Sequence, residues 1–389
     1  MSKAKDKLLK LFPQSEQNFG LIFVLIAIVL FFQISTGGVV FKPLNVTNII
    51  MQNSYILVLA IGMLLCILTG NVDLSVGSVA ALSSGVAGIM MVNNGIHPIP
   101  TIIVCLAIGF AIGVWHGFWI AYVGVPAFIT TLGGMMIFRG LTIGVLKGQS
   151  IGPFPVSFQR ISTGFIPDLF GGHSFHILTI LIGVLCAGVY TYIGLSRYKK
   201  QKSLSAGNNN SFGFYAILIF TNCVILFISW LLASYQGIPN VMILIAILFL
   251  TYSFVTLRTT MGRQIYAFGG NQLASRLSGI NTKRVFFWVY VNSSILATLA
   301  GLVLAARLNL ATPKAGTGYE LDAIAACFVG GASVYGGSGT IAGAMVGALI
   351  IGVMNNGMSI MGIDIPWQQS IKGLVVILAV AFDMLSRKK

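Results

Sequence analysis

The sequence predicts an all-α polytopic membrane protein of about twelve transmembrane helices. Three observations predict it. Of the 389 residues, 56% are hydrophobic and 8% charged, and the mean hydropathy is +0.92, a balance that no ordinary water-soluble surface accommodates. The apolar residues gather in runs of roughly 20, the length an α-helix needs to cross a bilayer. The charges gather between those runs.

In chain order, the opening stretch MSKAKDKLLKLFPQSEQNFG is basic and leads into GLIFVLIAIVLFF. That order resembles a signal peptide, but no small-x-small cleavage site follows closely and further spans come later, so an uncleaved first helix is expected. Apolar windows place spans at 19–36, 49–70, 77–94, 101–122, 128–146, 177–196, 213–234, 240–257, 286–306, 322–337, 341–357 and 369–385. Two are short and rich in glycine: SVGSVAALSSGVAG after Asp73, and DAIAACFVGGASVYGGSG from Asp322 to Gly339. Interrupted helices are tolerated at membrane depth only where they are buried in protein or line a polar cavity. The strings that introduce them, NVDLSVGS and YELDAIAA, are similar and fall on opposite faces of the predicted topology, the pattern of an inverted repeat around a central path. The chain's 46 glycines suit close packing of helices through small residues.

Lys and Arg outnumber Asp and Glu 23 to 8. In a soluble protein a net charge of +15 would point to nucleic acid; here position matters more than sum, and no nucleic-acid partner is expected. With the N-terminus in the cytoplasm, the inside segments carry Lys3, Lys5, Lys7 and Lys10; Arg197, Lys199, Lys200 and Lys202; Arg258, Arg263, Arg276, Lys283 and Arg284; and Arg387, Lys388 and Lys389. The outside loops carry Lys42, Lys147, Arg160 and Lys314, with Arg307 at a helix edge. This bias predicts an even number of spans with both termini in the cytoplasm. The Ser/Asn-rich basic stretch 197–212 has no periodicity and reads as a flexible cytoplasmic connector; a site for anionic lipid is the competing reading.

Several chemistries are missing. There is no G-x-x-x-x-G-K-[ST] phosphate loop, and eight acids leave little material for metal or phosphoryl-transfer chemistry, so no nucleotide hydrolysis is expected on this chain. Cys66, Cys105, Cys186, Cys223 and Cys327 lie in or beside apolar runs without CxxC spacing, and read as small buried hydrophobes. His97, His173 and His176 fall in or beside predicted external loops, and His116 falls in a span, where it is expected to hydrogen-bond a neighbouring helix. Neither charge rings, filter loops nor arginine ladders mark a channel. Arg139, Lys372, Asp73 and Asp383 are the ionisable residues nearest span interiors, too few for a proton-coupled carrier. The energy source therefore belongs on another polypeptide.

The segment 258–285, RTTMGRQIYAFGGNQLASRLSGINTKRV, interrupts two apolar spans with polar residues and glycines. Ile265, Ala267, Leu273, Ala274, Leu277 and Ile280 are spaced so that QLASRLSGI forms a short amphipathic helix, capped at its start by Asn271 and ended by Gly279. So short a helix does not persist alone in water and needs a partner surface, either the membrane or a soluble motor.

Here a family resemblance enters. YAFGGNQLASRLSGIN resembles the cytoplasmic coupling loop of permease subunits in ABC importers for monosaccharides, the group that includes ribose, galactose and xylose permeases. NVDLSVGSVAAL at 71–82, VPAFITTLGGMMIFRG at 125–140 and ELDAIAACFVGGASVYGGSGTIAGAMVGALI at 320–350 resemble the same group, and the likeness runs from about residue 45 to the chain's end. The loop 197–212 with its flanking spans is similar to the extra helix pair of xylose and multiple-sugar permeases.

The resemblance implies one transmembrane permease domain over residues 1–389, a ten-helix core plus the extra pair, in a bacterial plasma membrane. Its implied partners are a second permease copy, a separate ABC ATPase, an extracytoplasmic sugar-binding protein and membrane lipid. ATP and magnesium would be held by the ATPase, with no cofactor on this chain. By carry-over, Gly269, Gly270, Asn271, Ala274, Leu277, Ser278, Gly279, Ile280 and Asn281 are the ATPase contact within the coupling loop 258–285.

A sugar crossing the bilayer exchanges water for neutral hydroxyl partners and aromatic faces. Asn71, Asp73 and Ser75; Thr130, Thr131 and Arg139; Asn292; and Asn355 and Asn356 are the polar groups at the ends or interiors of expected core spans, and form the candidate path. Each has a structural alternative: Asn and Ser bond neighbouring helices, Arg139 pairs with Asp73 or helix-end carbonyls, and Asp73 caps the helix after it. A permease for nucleosides or another hydroxylated solute, and an autonomous secondary transporter, are the competing functions.

Overall fold

The structure is a computed structural model that describes residues 16–171, 175–204 and 211–387. The expectations for Lys3, Lys5, Lys7, Lys10, His173, Lys388 and Lys389, and for 205–210 of the basic connector, lie outside the described residues.

In chain order the helices are α1 (Glu16–Ser35), α2 (Pro43–Leu68), α3 (Val76–Gly88), α4 (Pro98–Phe118), α5 (Ala127–Leu146), α6 (Val156–Thr163), α7 (Ile177–Leu204) and α8 (Ser211–Ala233). They continue with α9 (Asn240–Arg258), α10 (Thr260–Gly270), α11 (Gln272–Leu277), α12 (Thr282–Leu308), α13 (Tyr319–Val329), α14 (Ile341–Ile360) and α15 (Ile365–Arg387). Helices α3 and α4 each pass into one wider π turn, Ile89–Asn93 and Trp119–Val123. Among the described residues the only β pairing is two isolated bridges, Ile151 with Ala311 and Phe165 with Pro239. This is the all-α polytopic architecture expected. Among the described residues, nine helices are long and apolar enough to cross a membrane by themselves, and α1 and α15 carry shorter apolar stretches, Gly20–Ser35 and Ile365–Ala381.

Local chemistry sets the boundaries. Pro43 opens α2, where a missing N–H costs nothing. Thr259 and Thr340 accept the backbone N–H of Gly262 and Gly343, and so cap α10 and α14.

The span expected at 322–337 is instead an 11-residue half-helix, α13, followed by an irregular segment from Gly330 to Thr340. Gly331, Gly336 and Gly337 have φ of +83°, +83° and +68°, a backbone that ends the helix. The connector expected at 197–212 is shorter than read, because residues 197–204 continue α7 as helix. Cys186 and Cys223 are exposed on α7 and α8, whereas Cys66, Cys105 and Cys327 are buried as expected. His116 is fully buried but packs edge-on against Trp115 and Phe138, and neither ring nitrogen has a hydrogen-bond partner among the described residues.

The 27 residues of α12 span about 40 Å and define the two ends of the bundle. At the first end sit α10 and α11; at the other, the Ile151–Ala311 bridge and the amphipathic α6, which the sequence reading passed over. Helices α2, α3, α12 and α14 form the buried centre; α7 and α8 pack on each other at the periphery. Phe32 of α1 lies beside Gly357 near the far end, and Leu21 beside Gly331 near the α11 end. Helix α15 starts next to Ser359, through the Gln368 side chain, and runs back past Asp322. The described chain therefore begins and ends on the α11 side.

Candidate functional site

Two interrupted crossings meet halfway through the bundle. The Tyr319 ring at the start of α13 stacks on Tyr55, midway along α2, with centroids 4.2 Å apart. Before it, residues 309–318 descend from the far end without helical structure. The other crossing is its reverse: residues 69–75 rise from the α11 end as irregular chain, and α3 fills the far half. The two helical N-termini touch so closely that a Cβ on Gly77 would fall 2.2 Å from the Gly316 carbonyl oxygen. The introducing strings thus meet at mid-depth, and do not sit on opposite faces as the sequence suggested, because each crossing spends half its depth as irregular, non-helical chain.

Polar groups satisfy the backbone that these interruptions expose. Asp73 is fully buried; its Oδ1 accepts the Ser75 N–H (3.0 Å) and hydroxyl (2.6 Å), and its Oδ2 accepts the Ser293 hydroxyl of α12 (2.7 Å). Arg139 of α5 donates to the carbonyls of Pro313 (3.2 Å) and Ala315 (2.5 Å) in the descending segment. It is bound to carbonyls and not to Asp73. On the α15 side, Lys372 pairs with Asp322 of α13 at 2.7 Å.

The remaining candidate path residues are scattered. Asn71 lies at the α11 end, beside a cavity of about 590 Å³ that it shares with Gln272, Arg276 and Phe286. Thr130 and Thr131 return their hydroxyls to the Pro126 and Ala127 carbonyls of their own helix. Asn292 accepts the Tyr252 hydroxyl on a different face of α12 from Ser293. Asn356 exchanges two 3.0 Å hydrogen bonds with Asn45, far from the junction, and the side-chain oxygen of neighbouring Asn355 is buried without a partner among the described residues. Only Asp73, Ser75 and Arg139 gather at the junction. Gly77, Ser293, Gly316, Asp322 and Lys372 belong there too, and sequence reasoning missed their meeting. The one signal available was glycine and acid at the head of each short span.

At the α11 end the local reading holds. Asn271 Oδ1 accepts the Ala274 N–H at 2.9 Å, and Gly279 takes φ +83° just after α11. Leu273 and Leu277, one turn apart, are 68% and 81% exposed, and Ser275 faces inward. Gly270, Asn271, Ala274, Ser278 and Gly279 are exposed with them, Ile280 is half-buried, and Asn281 caps α12 by accepting the Arg284 N–H. Gly269 points the other way: a Cβ there would fall 1.7 Å from the Leu68 carbonyl oxygen and 2.5 Å from the Gly337 nitrogen. The Gly337 N–H bonds the same Leu68 carbonyl, and the Tyr266 hydroxyl bonds the Gly339 carbonyl. Helix α10 therefore locks the exposed knob to both α2 and the irregular segment after α13.

An interrupted helical core joined rigidly to an amphipathic knob has the parts of a membrane permease worked from one side by another protein. Among the described residues no three metal-ligating side chains gather. Residues 45–380 match the family described as branched-chain amino acid transport system / permease component. The chain is 39% identical over 377 residues to the xylose transport system permease protein XylH of Escherichia coli (strain K12), covering 96% of this chain and 93% of that protein. It is 38% identical over 386 residues to XylH of Haemophilus influenzae (97% and 100% covered), and 35% identical over 341 residues to the ribose import permease protein RbsC of Escherichia coli (strain K12) (87% and 85%). The chain belongs to the ABC importer permeases of the xylose and ribose group. It is a multi-pass membrane transport component, not an enzyme, and its family implies an ATPase and a sugar-binding protein as partners. No solved structure matches the chain.

Proposed function

We propose that this chain is the membrane-spanning subunit of an importer of xylose or a closely related monosaccharide, driven by ATP and magnesium held on a partner ATPase. The observation that carries this reading is the α11 knob, an Asn271-capped helix with exposed Leu273 and Leu277, bolted through Gly269 and Tyr266 to the interrupted core. Leu273 and Leu277 fill an apolar groove of the ATPase, and Gly270, Asn271, Ala274, Ser278 and Gly279 line that contact. The α11 end and both termini face the cytoplasm, in keeping with the basic residues from Arg258 to Arg284. Identity of 39% over 96% of the chain to XylH supports the sugar class.

The working unit is a pair of permeases in lipid. Helix α5 offers a partner copy an open strip, since Cβ atoms at Gly133, Gly140 and Gly144 would meet nothing within 4 Å and Met136 and Ile137 are exposed. The sugar passes along this side, beside the junction held by Arg139 and Asp73. Lid-like rotation of the half-helices α3 and α13 about their touching N-termini opens it to one face and then the other.

The test is reconstitution of the permease, its ATPase and its binding protein in liposomes, with hydrolysis and uptake measured over a panel of pentoses, hexoses and nucleosides. Xylose-stimulated hydrolysis with matched uptake supports the assignment. Uptake of sugar by the permease alone without ATP overturns it.

A further inference from the structure

A cavity of about 690 Å³ opens between α9 and α12 at the α11 end, apart from the junction and sharing only the turn after α11 with the knob. Its floor is Leu65 of α2, its end is closed by Gln264 of α10 and the Gly279–Asn281 turn, and its α12 wall carries Arg284, Trp288 and Asn292. Those three recur at i, i+4 and i+8 and so share one face of the helix. From Arg284 to Asn292 the wall is about 12 Å long, close to the roughly 15 Å of one bilayer leaflet's hydrocarbon.

The polarity of the crevice is graded. Arg284 is exposed and has no ion-pair partner among the described residues, and from 258 to 285 the chain carries no Asp or Glu to neutralise it. Deeper in, Val255, Val289 and Leu65 make the walls apolar, and Tyr252 and Asn292 bond each other at the inner limit. Trp288, which lines the crevice from α12, is itself 42% exposed. A neutral sugar in this crevice would leave the Arg284 charge uncompensated.

We propose that this crevice holds an anionic phospholipid of the inner leaflet. The phosphate sits against Arg284, with the Gln264 and Asn281 amides beside it, and one acyl chain lies along Trp288, Val289 and Leu65. Charge and length together choose this occupant: cation at the water end, apolar slot one leaflet deep. Because Gly279 and Asn281 wall the crevice and also form the turn after α11, a bound lipid braces the knob that the ATPase presses. The inference rests on the membrane placement and cytoplasmic α11 end of the proposed function.

The permease–ATPase complex, purified in mild detergent, is offered equal amounts of phosphatidylglycerol and phosphatidylcholine, and retained lipid is read by native mass spectrometry. The expected result is a phosphatidylglycerol preference of about fivefold, as one cation beside an anionic headgroup confers, abolished in Arg284→Gln. The preference is retained in Arg263→Gln, whose exposed cation lies outside the crevice, and Trp288→Ala lowers retention of both lipids. Size-exclusion profiles confirm that the variants remain folded. An unchanged preference in Arg284→Gln overturns the proposal. So does displacement of the lipid by millimolar inorganic phosphate, which marks a free-anion site, or by xylose, which marks a sugar path. Sugar-stimulated hydrolysis is assayed separately, so a failure of lipid selectivity is told apart from a failure of the importer assignment.

Discussion

Lys372 Nζ lies 2.7 Å from Asp322 Oδ1, and the pair fastens α15 to the half-helix α13 inside the bundle. Their side chains are 18% and 11% exposed, so both charges are largely withdrawn from solvent. Removing one partner of such a pair usually costs about 3–5 kcal/mol, whereas replacing both with apolar residues is close to neutral. Lys372→Met alone is therefore expected to lower the thermal midpoint of the detergent-solubilised permease by several degrees. Adding Asp322→Leu should restore most of that loss. A single variant as stable as wild type would mean that the pair is not formed in the membrane.

The second prediction concerns the touching N-termini of α3 and α13. Gly77→Ala puts a methyl 2.2 Å from a backbone oxygen, which only backbone movement relieves. The expected cost is at or above the upper end of the about 1–3 kcal/mol typical of overpacking, seen as a sharp fall in monodisperse protein by fluorescence-detected size exclusion. Gly188→Ala on α7 is the control, since its Cβ would meet nothing within 4 Å.

How far the sequence reached follows from the range of each signal. Long apolar helices such as α12 were legible because hydropathy over about 20 residues is itself the cause of membrane crossing. The end of α13 was not, since alanine and glycine keep the hydropathy window going through Gly330–Gly339 although positive φ ends the helix. Residues 197–204 were misread for the opposite reason: Lys, Arg and Gln end a hydropathy run but are good helix formers. The α11 cap was legible because Asn271 and Ala274 are three residues apart. The partners of Asn292 and Asn356 were not, because Tyr252 and Asn45 are 40 and 311 residues away.

Leu273 and Leu277 supply the third prediction. Both project from α11 without covering any core, so Leu273→Ser with Leu277→Ser should leave permease yield and thermal midpoint within about 0.5 kcal/mol of wild type. The same pair should cut copurification of the ATPase at least tenfold, since two apolar anchors are each worth about 1.5 kcal/mol or more when buried. Pull-down from membranes reads this directly. Retention of the ATPase at wild-type levels would move the coupling contact elsewhere in 258–285.

Asn271 gives the most discriminating experiment on the knob. Its side chain accepts the Ala274 N–H, and loss of such a cap costs about 1 kcal/mol. In a long helix that is a small fraction of total stability, but α11 has six residues and little else to hold it. Asn271→Ala should therefore fray α11 selectively, giving faster amide exchange over 272–278 while α12 stays protected, with reduced sugar-stimulated hydrolysis. Asn271→Asp keeps an accepting oxygen at the N-cap and should restore both. If alanine abolishes hydrolysis and aspartate fails to rescue it, while exchange over α11 is unchanged in both, the Asn271 side chain touches the ATPase itself. Its capping role would then be incidental to coupling.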